Sequence, residues 1–390
     1  MVIRDWLRGP ASLLALTASY VARRPALALP GLRFAIEVGV RVRRAPVLRS
    51  CPELLVEPDQ LVEVCSLVSD THVVAPRAAP CELELDPGQW PWSALPTAGE
   101  IATGVRRVLG HVARHSARTV IWCGDEVDTG DAAEWATLRT VIDDVPGLSH
   151  RMVPGNHDIC FNRPFDEDYD LVRRARREQA YQRHAGPLGE FPLVDAIVGD
   201  AGPVTIILLD SCRHRSTHVL SNAIGRFGDP QLDRLEEVLA GSRGPVLCVT
   251  HHHVWRDREF AQPDAWYNTA VDSDRFAAIV VAYRRRDRRN HVLVCHGHRH
   301  SLTAGTFGDP DAPVAVVGLP SSTFGDKSHT GQLDGILRYG VAGLRADGSW
   351  GVALHDVGPL CTTPRARGRH RPATPPSASL RAYALRSTRP

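Results

Sequence analysis

Short apolar runs alternate along the middle of the chain with longer amphipathic stretches. Val62–Ser69, Arg118–Cys123, His150–Val153, Pro245–Thr250 and His291–Cys295 are runs of strand length, each leading into a block that holds Asp, Asn or His. Between them, apolar positions recur at helical spacing. Thr97-Ala98-Gly99-Glu100 has the form of a capping box and predicts a helix to about His115. Further helices are expected over 131–144, 166–184, 229–240 and 273–289. In the third, acids in the first turn precede Arg173, Arg174, Arg176 and Arg177, an order that suits the helix dipole and reads as a solvated face. Phe191–Val198 and Val204–Asp210 predict a hairpin. Val314–Val317, Leu337–Leu344 and Trp350–Val357 predict later strands, the last two joined by the turn Ala346-Asp347-Gly348-Ser349. Alternation of this kind predicts an α/β fold, with sheet layers covered by helices. In such sheets ligands bind beyond the carboxyl ends of the strands.

The two ends differ from the middle. Trp6 to Val21 has an apolar helical face, and Leu32, Phe34, Ile36, Val38, Val40 and Val42 alternate with period two, which predicts a strand. From Thr362 onward the chain is Arg, Pro, Ser and Thr with few large apolar residues, a composition of disorder. The expected organisation is therefore an N-terminal extension of unassigned role over 1–60, one large domain over 61–361 and a basic tail over 362–390.

Charge sharpens that division. The formal net charge is +2, yet residues 1–50 hold nine Arg against Asp5 and Glu37, and residues 362–390 hold seven Arg and no acid. The middle is left at −12, as expected of a site rich in carboxylate ligands. The basic ends would give an anionic partner, nucleic acid included, an electrostatic foothold, or act only as solvated arms. Lys327 is the sole lysine. Nine cysteines are scattered without a CxxC pair, which argues against a zinc ribbon or redox motif and points to a reducing, cytoplasmic setting. No apolar run reaches the ~20 residues of a membrane span. Ala11–Ala22 makes a poor signal-peptide core, between Asp5 and Arg23-Arg24.

Candidate chemistry sits directly after the apolar runs. Five blocks follow five predicted strands: Asp70-Thr71-His72, Gly124-Asp125-Glu126-Val127-Asp128, Gly155-Asn156-His157-Asp158, His251-His252-His253 and Gly297-His298-Arg299-His300. Each block alone is weak, since Gly-Asp and Gly-Asn commonly start turns. Together they place carboxylate, amide and imidazole donors at one end of a sheet. That donor set suits a pair of divalent ions, which bind phosphoryl oxygens and lower the pKa of water. No thiolate is among the donors, so Mn, Fe, Zn or Co would suit the site.

The order and content of these blocks resemble the calcineurin-like metallophosphoesterase superfamily, from about Leu61 to about Val357. The resemblance implies a four-layer α/β/β/α sandwich. It implies that Asp70, His72 and His300 bind a first metal, that Asp125 bridges, and that Asn156, His251 and His298 bind a second. It further implies attack on phosphorus by a hydroxide held between the ions. His157 would serve the leaving group or a phosphate oxygen, Asp158 would orient His157, and Asp128 would stand behind the ligands. Asn156, His157 and His252 are the expected substrate contacts, while His291 and His296 are expected to be structural.

Departures from the pattern narrow the substrate. Thr129 and Pro154 stand where protein Ser/Thr phosphatases carry phosphate-gripping arginines, which argues against a phosphoprotein. Asp128 stands where purple acid phosphatases have Tyr, so no ferric tyrosinate is expected. The fourth block runs His-His-His-Val-Trp where many family phosphodiesterases have His-His-Pro. The expected function is hydrolysis of a small phosphodiester or phosphomonoester; a nuclease, or a non-catalytic binding module on the same fold, are the competing readings. Between His72 and Asp125 lie 52 residues with five prolines, Trp90 and Trp92, read as a long loop beside the metals. Arg163, Arg213 and His214 are further candidates for contact with phosphate.

Overall fold

The computed structural model describes residues 41–76, 95–159, 171–199, 202–212, 224–256, 268–328 and 331–361. Two sheets form its centre. The first is five-stranded, in the order β12-β11-β2-β3-β4, built from β2 (Val62–Val68), β3 (Thr119–Trp122), β4 (Ser149–Met152), β11 (Ile336–Leu344) and β12 (Trp350–Pro359). The second is seven-stranded, in the order β1-β9-β10-β8-β7-β6-β5. Its strands are β1 (Arg49–Ser50), β5 (Leu193–Gly199), β6 (Gly202–Leu208), β7 (Val246–Val249), β8 (Val292–His296), β9 (Thr303–Asp309) and β10 (Ala312–Gly318). In the first, β2, β3 and β4 are mutually parallel. In the second, β6, β7, β8 and β10 are parallel. The motif-bearing ends of both sets therefore share one edge of the molecule.

Alternation along the strands explains the layering. In β7, Leu247 and Val249 join the core between the two sheets, while Val246 and Cys248 face the opposite way. That second face is covered by α5 (Asp229–Gly241) and α6 (Ser273–Arg286), through Leu232, Leu235, Leu239, Phe276, Val280 and Tyr283. Helices α1 (Ala98–His115) and α2 (Ala132–Asp143) cover the five-stranded sheet, with Ile101, Val105, Val108, Leu109 and Val112 as the buried stripe of α1. The result is the expected four-layer α/β/β/α sandwich. Strands buried on both faces read as continuous apolar runs, which is why these were visible in the sequence. Two further α-helices complete the set among described residues, the single turn α3 (Asn156–Ile159) and the longer α4 (Leu171–His184).

Helix starts follow their predicted caps. Thr97 Oγ1 accepts the Glu100 N–H, and Glu100 Oε2 accepts the Thr97 N–H at 2.7 Å. Asp131 and Glu134 form a second capping box at α2. Two expectations change. The period-two pattern ending at Val42 does not end as a strand: Arg41 and Val42 are helical, and Val42 packs with Ile224 and Val271. Strand β9 was not anticipated, because its core is glycine and small residues. A Cβ at Gly305 would approach Arg49 O to 2.7 Å, so the close pairing of β1 with β9 excludes a larger side chain there. Residues 49–60 thus join the sheets: β1 extends the seven-stranded sheet and Leu54 enters the inter-sheet core. The N-terminal helix over 6–21, most of the loop with Trp90 and Trp92, Arg163, Arg213, His214 and the tail lie outside the described residues. Among those described, no helix is long and apolar enough to cross a membrane.

Candidate metal centre

Each expected ligand leaves the carboxyl end of a parallel strand. Asp70 and His72 follow β2, Asp125 follows β3, Asn156 opens α3 after β4, His251 follows β7, and His298 and His300 follow β8. Residues at these turns are forced into unusual backbone. Among described non-glycine residues, those with left-handed φ are Asp70 (50°), His72 (44°), Asp125 (54°), His298 (70°) and His300 (52°). All five belong to the expected ligand set. Left-handed backbone costs on the order of 1 kcal/mol per residue, and such strain persists where surrounding structure enforces it. The motif glycines have a matching cause: a side chain at Gly155 would collide with Asp125, and one at Gly297 with Ser69 and Asp70.

The donors gather into two sets. Ligand atoms of Asp70, His72 and His300 lie within 4.8 Å of one another. Within this set the Nε2 atoms of His72 and His300 are 3.2 Å apart, and Asp70 Oδ1 is 3.4 Å from His300 Nε2. In the other, His251 Nε2 is 3.0 Å from Asn156 Oδ1 and 3.1 Å from His298 Nδ1. Asp125 stands between them, its Oδ2 3.1 Å from His251 Nε2 and 3.9 Å from His72 Nε2. All of these donors but the half-buried His298 are buried, Asp70, His72 and His251 completely.

Hydrogen bonds fix the tautomers. His72 Nδ1 lies 3.2 Å from Asp128 Oδ1, and His251 Nδ1 lies 2.9 Å from the Cys123 carbonyl. Both partners are acceptors, so Nδ1 carries the proton and the Nε2 lone pair faces the other donors. Lone pairs of His251, Asp125, Asn156 and His298 then converge on one another. Such an arrangement is repulsive unless a proton or a cation occupies it. The chemistry of the donor set therefore fits metal ions. Without metal the field resolves through protons. Burial works against the charge on Asp125, but His251, His157 and His72 together hold its carboxyl well below the usual range. Burial pulls His251 down, yet facing Asp125 pushes it up to about 9. Burial, with His252 and His251 nearby, holds His298 well below the ordinary imidazole value.

Two supporting assignments change. Asp158 does not orient His157. Its oxygens accept the backbone N–H groups of Asp125 (2.9 Å), Val127 (3.0 Å) and Gly155 (2.7 Å), tying the loop after β3 to the loop after β4. Burial raises the neighbouring Glu126 carboxyl well above its usual range, and Asp158 adds to the rise. Asp128 takes the orienting part: its carbonyl accepts His157 Nδ1–H at 2.8 Å, and its carboxylate serves His72. His157 N–H in turn donates to Asp125 Oδ1 at 2.8 Å. His296 is structural as expected, with both ring nitrogens engaged, by Gly297 O and by Trp255 Nε1.

Serines went unnoticed in the sequence. Ser321 Oγ donates to the Asp70 carbonyl at 2.6 Å, and Ser322 exchanges hydrogen bonds with Ser69, bracing the first block from the end of β10. Ser69 Oγ itself donates to Asp70 Oδ2. Ser211, after β6, contacts His252. Their only signal was position at a strand end.

A family profile described as calcineurin-like phosphoesterase matches residues 67–302. Among solved structures, the chain is similar to a dimetal phosphatase from Danio rerio, at 16% identity, over 76% of this chain and 99% of that one, with a TM-score of 0.47. It is also similar to a purple acid phosphatase from yellow lupin (Lupinus luteus) seeds, at 10% identity, over 74% and 53%, with a TM-score of 0.43. A phosphopantetheinyl hydrolase from Mycobacterium tuberculosis shares 14% identity over 66% and 89%, with a TM-score of 0.35. No curated protein matches the chain.

Proposed function

Because the chain belongs to the calcineurin-like phosphoesterase family and is a metal-dependent phosphoester hydrolase, we propose that it works with two divalent ions on a small phosphodiester or phosphomonoester. The observation that carries this reading is the position of Asp125, whose Oδ2 faces one imidazole of each donor set, His251 and His72. A carboxylate so placed would bridge two ions. Asp70, His72 and His300 would hold one, and Asn156, His251 and His298 the other. Bound there, the ions would supply Lewis acidity and an ionised water near neutral pH.

The chain's own groups supply the rest. Asp128 O fixes His157 by Nδ1, which directs Nε2 to the substrate. A proton held at Nε2 passes to the leaving oxygen, or stabilises charge on a phosphoryl oxygen. The Asp125 contact to the His157 N–H keeps bridge and acid in fixed relation. Asp158 holds the two loops so that this relation survives. His252 lies beside His251 and His298, at the edge of the second set.

The test is turnover by metal-reconstituted protein on p-nitrophenyl phosphate, its bis-ester, cyclic nucleotides and single-stranded DNA. Hydrolysis of a small ester that chelation abolishes and Mn, Fe, Zn or Co restores is the expected result. Activity confined to the nucleic acid, with steep salt dependence, would favour the nuclease reading. No hydrolysis of any substrate with any ion would overturn the assignment.

A further inference from the structure

Besides His157, another imidazole at the centre stands outside the seven-donor set. His252 is fully buried and adjoins both His251 (ring centroids 5.0 Å apart) and His298 (4.5 Å). A ring nitrogen from each of the three lies within 4.8 Å of the others. Zn–N bonds of about 2.0–2.1 Å set two donors of one ion up to about 4 Å apart, so a small ring movement closes that span.

How His252 is held argues for a ligand. Its Nδ1 lies 2.8 Å from Ser211 Oγ, and the same oxygen accepts its backbone N–H at 3.1 Å. A hydroxyl can donate or accept at Nδ1; accepting there, Ser211 leaves the proton on Nδ1 and the lone pair, hence coordination, on Nε2. This is the tautomer that Asp128 sets for His72 and the Cys123 carbonyl sets for His251. The ring's other side is closed by Gly225, where a Cβ would approach His252 Cβ to 2.6 Å and Cγ to 2.7 Å. Buried Ser211 and Gly225 thus form a seat that holds the imidazole at the second set.

We infer that His252 is a further ligand of the ion held by Asn156, His251 and His298, with Ser211 as its positioning residue. The inference rests on the dinuclear reading above. The second position would then carry three imidazoles, against two at the first, and favour Zn or Co over Mn more strongly than the first does.

The test counts ions. Full-length protein is reconstituted with Zn or Co, and both affinities are measured by competition with a graded chelator. Wild type should hold two ions per chain. His252→Gln should keep the first at wild-type affinity and weaken the second about 10–100-fold, and Ser211→Ala should weaken the second about tenfold. Ser211→Thr, which keeps the hydroxyl, should restore it, and His253→Gln should change neither. Near-ultraviolet circular dichroism of each metal-free variant checks folding; if His252→Gln fails it, the Ser211 pair decides. Wild-type affinity for both ions in His252→Gln and Ser211→Ala would overturn the inference. So would unchanged affinities with only KM raised, since that places His252 on the substrate. A wild type that binds fewer than two ions would sink the dinuclear reading itself, independently of the variants.

Discussion

His251 and His298 face the other expected donors, while His253 and His296, each only two residues away, belong to the packing behind them. Composition and spacing do not separate His251 from His296; their hydrogen bonds do. His251 spends one nitrogen on the Cys123 carbonyl and turns the other to Asp125, Asn156 and His298. His296 spends both, donating to Gly297 O and accepting Trp255 Nε1–H, and burial lowers it to about 4. His253 Nε2 meets Thr269 Oγ1 at 2.7 Å, beside Trp255. An imidazole anchored at one nitrogen by an oxygen acceptor is set to bind a cation. One engaged at both nitrogens, as His296 is, is a neutral core side chain. The lesson is that a histidine-rich block reports a metal site only through what its rings' other nitrogens touch.

The largest expected effect breaks the facing group. Asp125→Ala should lower kcat by at least about 10³-fold, as expected when both ions lose their shared charge, while the metal-free protein keeps its fold by circular dichroism. His157→Ala should cost about 10²–10⁴-fold in kcat and leave both ions bound, which separates proton donor from ligand in a metal count. Asp128→Asn alters the acceptor behind His72 and should cost about 10–100-fold in affinity for the first ion. On the packing side, His296→Leu should leave metal affinity unchanged. It strands the buried Trp255 N–H and should cost about 1–3 kcal/mol in urea unfolding.

The smallest effect is in pH. Burial lowers His150 to about 4, as it does His296, and each accepts an indole N–H, from Trp122 and Trp255 respectively. Both fold as neutral rings with folded pKa values below the unfolded one. Their stabilisation is therefore complete above about 6.5 and lost as pH falls towards about 4. Unfolding of metal-free protein at pH 7 and pH 5 should show the loss, on the order of 1 kcal/mol, and His150→Gln should reduce it.

The facing group was legible because each ligand closes an apolar run, and strands buried on both faces leave such runs in the sequence. The fold's layers were legible for the same reason. What orients the ligands was only half legible. Asp128 could be placed behind the site, but Asp158 read as the partner of His157 when it instead ties two loops together. Nothing in Gly-Asn-His-Asp distinguishes a carboxylate aimed at a ring from one aimed at backbone N–H groups. Ser211, Ser321 and Ser322 were silent because serine at a strand end is ordinary turn chemistry. The left-handed backbone at Asp70, His72, Asp125, His298 and His300 could not be read at all. Asp and His tolerate that conformation, and only the converging strands impose it. Strand β9 hid behind glycines that its close partner requires.

In the dinuclear reading proposed above, Asp125 lies between two cations held by opposite sets of side chains. Anomalous diffraction from crystals grown with Mn or Zn tests it most directly. Two peaks about 3.5–4 Å apart on either side of the Asp125 carboxylate are predicted. A single peak at one set, or peaks away from Asp125, would contradict it.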